Sequence, residues 1–176
     1  MKRILLIFVV FCTILNTEAQ VFNSDVNLQK GGWFLGAEPV YIVNSNFMFF
    51  VHGGYGIKSG INLDLNAGFG GGVDYLGGDL KWALVKHVSL NTGFFISGGT
   101  AGINGCLNLS IPIRSDIRLI TGAHLNIDFP GNKIETPFWI PVGVDIGLSK
   151  NMGLILEGEI GFKADSRMGG GLAFYF

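Results

Sequence analysis

A chain of 176 residues with net charge −1, 48% hydrophobic and 14% charged residues has the length of one domain, is too apolar for a disordered segment, and lacks the basic patch of a nucleic-acid binder. Its mean hydropathy of +0.44 would suit a helical membrane protein. Beyond the amino terminus, however, no apolar run approaches the roughly 18 residues a spanning helix needs, because apolar residues are interleaved with polar and small ones.

At the amino terminus Lys2 and Arg3 precede the apolar run from Ile4 to Leu15, and Thr17-Glu18-Ala19 supplies small residues where a signal peptidase reads. This predicts a secretory signal over residues 1–19, cut before Gln20. Phe11, Val10 and Val9 ahead of Cys12 do not suit lipidation there. Without the signal, Cys106 is the sole cysteine and no intrachain disulfide is available. Residues 20–32 are polar, lack a period and end at Gly31-Gly32, which predicts a mobile lead-in. Residues 33–176 are left to form the folded domain.

Trp33 to Val43 alternates imperfectly, and Pro39 has no N–H to donate to a ladder, so the first strand has the weakest signal. Phe47 to Ile57 alternates well, with Phe47, Phe49, Val51, Tyr55 and Ile57 on one face and His52, Gly54 and Gly56 on the other. Four tight connections then recur near thirty-residue spacing: Lys58-Ser59-Gly60, Val85-Lys86-His87, Arg114-Ser115-Asp116 and Ser149-Lys150-Asn151. Each is flanked by aliphatic residues and carries a base, which predicts a meander of hairpins.

Between these turns a dyad persists. Ile61, Leu63 and Leu65 oppose Asn62, Asp64 and Asn66; Leu80 and Trp82 oppose Asp79 and Lys81; Leu107 and Leu109 oppose Asn108 and Ser110; Leu119 and Leu125 oppose Arg118 and His124. The hairpin Phe138 to Phe162 gives the clearest case, with Ile140, Val142, Val144, Leu154 and Leu156 against Asp145, Glu157 and Glu159. Pairing Leu148 with Met152 sets Gly143 opposite Glu157. Glycines such as Gly68, Gly77, Gly93 and Gly122 side with the polar residues, so that face reads as the crowded, concave one.

The opposite connections are more varied: Asn44 to Asn46, Gly70 to Gly72, Gly98 to Gly102, Phe129 to Thr136 and Lys163 to Ser166. Short turns at one rim and variable loops at the other are the asymmetry of a bacterial transmembrane barrel. The count gives ten strands, with eight as the alternative. Strands of about ten residues tilted near 45° rise roughly 23 Å, close to the ~25 Å apolar band such barrels present. The predicted fold is therefore all-β, an antiparallel up-and-down transmembrane β-barrel with its polar face inside.

The last strand ends on Leu172-Ala173-Phe174-Tyr175-Phe176, with Leu172, Phe174 and Phe176 on one face. This resembles the carboxyl-terminal signature of bacterial outer-membrane β-barrel proteins. The resemblance implies residence in the outer membrane of a Gram-negative cell, with its lipid and the barrel-insertion machinery as partners and those three residues as the insertion signal.

The chemistry-bearing residues gather on the polar face. Asp79, Lys81, Arg118, His124, Asp145, Glu157 and Glu159 form a candidate lumen cluster. The carboxylates are able in principle to bind a cation or hold a proton, but pairing with Arg118 or Lys81 as part of a polar plug is the preferred reading. Cys106 falls opposite His124, without an evident orienting group or further ligands, so packing is preferred to catalysis or zinc binding. No catalytic site, metal site, cofactor or nucleic-acid partner is expected, and any bound or passing solute is unknown. Three functions follow. The preferred one is a non-enzymatic outer-membrane barrel with a structural or surface role or a narrow passage for small solutes. The alternatives are a membrane-embedded enzyme acting on lipid or peptide and a secreted, lipocalin-like barrel binding an apolar ligand.

Overall fold

In the computed structural model, residues 28–43, 47–72 and 74–176 are described. The expected signal peptide, the lead-in up to residue 27 and the loop Asn44 to Asn46 lie outside them. Ten antiparallel strands form a meander: β1 Trp33–Ile42, β2 Phe47–Lys58, β3 Ile61–Phe69, β4 Tyr75–Val85, β5 Val88–Ser97, β6 Thr100–Pro112, β7 Ile117–Phe129, β8 Phe138–Ser149, β9 Met152–Phe162 and β10 Arg167–Tyr175. The sheet closes where β1 pairs with β10. Closure leaves no unpaired edge, which a lipid-embedded sheet requires. The seam ends in a reciprocal pair, Trp33 N–H donating to the Phe176 carbonyl at 3.2 Å and Phe176 N–H to the Trp33 carbonyl at 2.9 Å. The Trp33 and Phe176 rings stack outside it, centroids 4.0 Å apart.

The alternation faces as expected. Leu63, Leu65, Leu107, Leu109, Val142, Leu156 and Leu172 are exposed, whereas Asn62, Asp79, Asn108, His124, Asp145, Glu157 and Glu159 are buried. A soluble barrel would invert this arrangement, so the lipocalin-like reading fails. Outside, Tyr41, Phe47, Phe69, Phe129 and Phe162 ring the loop rim, as an interfacial aromatic girdle does. The turn rim carries Trp33, Tyr55, Phe174 and Phe176 around the seam and is aliphatic elsewhere, with Ile57, Leu84, Val85, Ile113 and Leu148 exposed.

Three of the four tight turns carry a register irregularity on the strand that enters them, at Gly56/Lys58, Ala83/Val85 and Gly147/Ser149. A three-residue loop commonly ends on a left-handed residue that forms such a bulge. Gly60 adopts it at φ 81° and His87 at φ 70°, where a side chain costs more than a glycine does. In the β8–β9 hairpin Gly143 stands opposite Glu157, as the spacing predicts, but the bulge sets Ser149 rather than Leu148 opposite Met152.

Three expectations need correction. The Gly98 to Gly102 loop shrinks to Gly98-Gly99, with φ 53° and 80°; two successive positive φ values make a two-residue hairpin turn that matches the sheet twist. Glycines are not confined to the inner face. Gly53, Gly78 and Gly170 point outward with their strands' apolar residues, and a Cβ on Gly78 would meet the outward side chains of Leu65 and Phe94 at 3.3 and 3.6 Å. The described end of the lead-in is not loose. Leu28 is buried against Phe34, Ile155 and Ala173, Gly31 N–H donates to the Gly56 carbonyl at 2.8 Å, and Gly56 N–H donates to the Gly32 carbonyl at 2.8 Å.

Candidate functional site: a filled lumen and its vestibule

The lumen divides into levels. On one side of the loop-rim end the interior is apolar: Val40 and Ile42 from β1, Met48 and Phe50 from β2, Tyr75 from β4 and Phe95 from β5 form one buried cluster. The Phe50 and Tyr75 rings meet edge-on at 5.5 Å, and Tyr75 stacks on Phe95 at 5.7 Å. Facing glycines make room for these rings. A Cβ on Gly68 would lie 2.5 Å from the Phe50 ring, and one on Gly77 would lie 2.7 Å from the Tyr75 hydroxyl. The inward dyad is thus polar over much of its length but aromatic here, which the strand pattern of β1 and β2 obscured.

Beneath this plug a hydrogen-bonded relay joins residues of four strands. His52 Nδ1 lies 2.8 Å from Asn66 Oδ1. Asn66 Nδ2 donates to Asp79 Oδ2 at 2.7 Å, and Asn104 Nδ2 donates to the other Asp79 oxygen at 2.7 Å. Since the Asn66 amide nitrogen is spent on Asp79, its oxygen faces the imidazole, and Nδ1–H is the donor. The second ring nitrogen faces Glu38 Oε2 at 3.4 Å. On the far wall, Glu159 bridges His124 Nδ1 at 2.9 Å and the guanidinium of Arg167. Arg167 lies over the Trp139 ring at 4.5 Å, and the Trp139 indole N–H donates to the Asp165 carbonyl at 2.9 Å. Buried charges are normally paired in this way.

The seven residues singled out from the sequence all point inward but do not form one cluster. Asp145 pairs with Arg118, Glu159 with Arg167 and His124, and Asp79 with the two asparagines. Glu157 is buried beside Gly143. Lys81 stands apart. His124 and Cys106 are cross-strand neighbours, and Glu159 supplies the orienting carboxylate that the sequence concealed. Even so, the Cys106 thiol is buried and donates to Asn108 Oδ1 at 3.1 Å. Among the described residues no group of three His, Cys, Asp or Glu side chains is arranged to hold a metal ion. Sequence reasoning missed Glu38 and Arg167 as lumen charges. Arg167 shares parity with Gly169 and Gly171, opposite to Leu172 and Phe174, and that parity marks it as inward.

At the turn-rim end the lumen opens. The lead-in fills one side of the mouth, where Leu28 packs on Phe34 and Ile155. The other side holds a vestibule of about 380 Å³ between β3, β4, β5 and β7, lined by Lys81, Lys86, His87, Ser89, Asn62 and Arg118 among others.

This closed sheet, apolar outside and polar or aromatic within, defines a transmembrane β-barrel. No protein-family model matches the chain, and no curated protein does. Among solved structures it is similar in fold to the KdgM porin (TM-score 0.53, 10% identity, 81% of this chain and 99% of that one). It is also similar to the translocator domain of the autotransporter NalP from Neisseria meningitidis (TM-score 0.51, 8% identity, 86% of this chain and 90% of that one). The de novo designed barrel TMB2.3 is a third such structure (TM-score 0.50, 10% identity, 83% of this chain and 94% of that one). At these identities the likeness is one of fold.

Proposed function

We propose that the protein is a non-enzymatic integral barrel of a Gram-negative outer membrane, with a structural or surface role at rest, in which any passage of small solutes requires the aromatic plug to move. The observation that carries this reading is the packing of Phe50, Tyr75 and Phe95 with Val40, Ile42 and Met48 across the loop-rim end of the lumen. Small barrels have interiors just wide enough for side chains to fill. His52, Asn66, Asp79 and Asn104 beneath the plug are engaged with one another, which favours rigidity over turnover. Outer-membrane lipid is the expected solvent of the exposed apolar face. The barrel-insertion machinery is the expected assembly partner, acting through Leu172, Phe174 and Phe176, all exposed on one edge of the seam.

Cell fractionation combined with gel migration before and after boiling tests the reading. Recovery in the outer membrane with heat-modifiable migration is the expected result, and recovery in the soluble periplasm with no migration shift overturns it. Planar-bilayer recording of the purified barrel is expected to give no sustained conductance. A steady open channel would remove the plugged-lumen part of the reading while leaving the membrane barrel intact.

A further inference from the structure

We infer that the vestibule at the turn rim is a binding site for a small phosphate-bearing anion. Of the ten residues that line it, Lys81, Lys86 and Arg118 are basic and none is acidic. Lys81 carries the argument. Only 5% of its surface is exposed, yet among the described residues it makes no ion pair within 4 Å. It interacts electrostatically with Asp64 across the β3–β4 pair, without an ion-pair contact. A buried ammonium normally has a carboxylate on it, and the other inward bases obey that rule: Arg118 holds Asp145 and Arg167 holds Glu159. Lys81 instead borders a cavity.

A second observation points to the same ligand chemistry. Ser89 is 2% exposed, and among the described residues its hydroxyl oxygen has no hydrogen-bond partner. It lies on the same vestibule wall as Lys81, since β4 pairs Lys81 with Asn91 and Ala83 with Ser89. An ammonium, a serine hydroxyl and the half-exposed guanidinium of Arg118, which also holds Asp145, offer donors from three strands, the donor set that phosphate oxygens take. Lys86, in the turn beside His87, supplies further positive charge at the opening. The volume of about 380 Å³ admits a phosphomonoester or a phospholipid headgroup. The carboxylates that face the site from neighbouring strands are Asp64 and Asp145. Asp145 is already neutralised by Arg118, which leaves the local balance positive.

The test uses the mature full-length protein, refolded in a neutral detergent and checked by its heat-modifiable migration. Inorganic phosphate and glycerol 3-phosphate serve as soluble probes, followed by ³¹P NMR line broadening and by the shift in thermal unfolding with probe concentration. Saturable binding is expected, weakened about tenfold or more in Lys81→Met and less in Ser89→Ala. Lys81→Arg should retain it. Arg114→Gln, outside the vestibule, should bind as the unchanged protein does. If Lys81→Met fails to fold, Ser89→Ala and Lys86→Gln together carry the comparison. A second arm places the barrel in nanodiscs with and without phosphatidic acid. Loss of the soluble-probe response only in the acidic lipid identifies a headgroup as the occupant, and an unchanged response identifies a free solute. No saturable binding, or equal affinity in the wild type, Lys81→Met and Ser89→Ala, overturns the site. Heat-modifiable migration would still report the barrel itself, so the two readings fail separately.

Discussion

The two ends of the lumen are built from the same inward parity and differ in every other respect. At the loop rim, six apolar side chains from β1, β2, β4 and β5 interlock over glycines. At the turn rim, three bases border a cavity on one side, and on the other Leu28 of the lead-in packs with Phe34, Ile155 and Ala173 of the barrel wall. The difference separates two ways of closing a small barrel. Packing against glycine is dry and stabilises directly, whereas charge inside the barrel is tolerated only where geometry supplies a partner. The ion pairs form a graded series of arginines from the loop rim to the turn rim, Arg167 buried, Arg118 half-exposed at 36% and Arg114 in the open, and that series gives the comparison its sharpest tests.

The largest effect is expected at Arg167. Arg167→Met keeps most of the side-chain volume but strands the buried Glu159, which already faces Glu38 electrostatically. Breaking one partner out of a buried pair costs about 3–5 kcal/mol. Urea unfolding in lipid vesicles should register that loss, and a paired Arg167→Met/Glu159→Gln variant should recover much of it. A double variant as unstable as the single one would mean that Arg167 acts by packing on Trp139 rather than by charge.

Next is the plug. Phe50→Ala removes a fully buried ring that Gly68 and Tyr75 have shaped themselves around. The expected cost is about 3 kcal/mol, toward the lower end for such truncations because water from the rim can occupy part of the void. The more telling readout is conductance. Phe50→Ala should show channel openings that the unchanged protein lacks, and silence from a well-folded Phe50→Ala barrel would move the resistance to the relay of His52, Asn66 and Asp79.

The outer surface supplies the control for facing. Leu65 is the middle residue of β3 and 58% exposed, so Leu65→Arg puts a charge at mid-membrane and should cost about 2–4 kcal/mol. In a Cys106→Ser background, cysteine at position 65 should resist a membrane-impermeant thiol reagent in vesicles. Ready labelling there would contradict the orientation on which both lumen ends depend.

How far these features were legible in the sequence follows from their range. Facing is local, because side chains alternate with period two, so Asp79, Lys81, Arg118, His124, Asp145, Glu157 and Glu159 could each be assigned inward from their own strands. Cross-strand neighbours joined by a tight turn were also within reach, as with Gly143 and Glu157 or Cys106 and His124. Contacts across the lumen were not. Glu159 meets His124, 35 residues away, and which strand levels coincide depends on the stagger of the closed barrel, a property of all ten strands together. β1, read over Trp33 to Val43 and found over Trp33–Ile42, gave the weakest signal for a different reason. Its inward face carries Phe34, Val40 and Ile42 beside Glu38, so neither face reads as polar, and a seam strand that packs a plug loses the alternation by which strands are recognised.

The smallest effect is expected where the same chemistry sits in water. Arg114 Nε lies 3.2 Å from Asp116 Oδ1, but the two side chains are 68% and 41% exposed in the β6–β7 turn. High dielectric and mobile salt reduce their attraction, and holding two flexible side chains in one geometry costs entropy that offsets most of the remainder. Arg114→Ala should therefore change unfolding free energy by no more than about 0.5 kcal/mol. The difference from Arg167→Met should persist in high salt, because the Arg167–Glu159 pair is shielded from ions by the wall of the barrel. A loss at Arg114 approaching that at Arg167 would show that the turn, through the Ile113–Ile117 backbone closure, sets the register of β6 and β7, and that the turn rim is less tolerant than its solvent exposure implies.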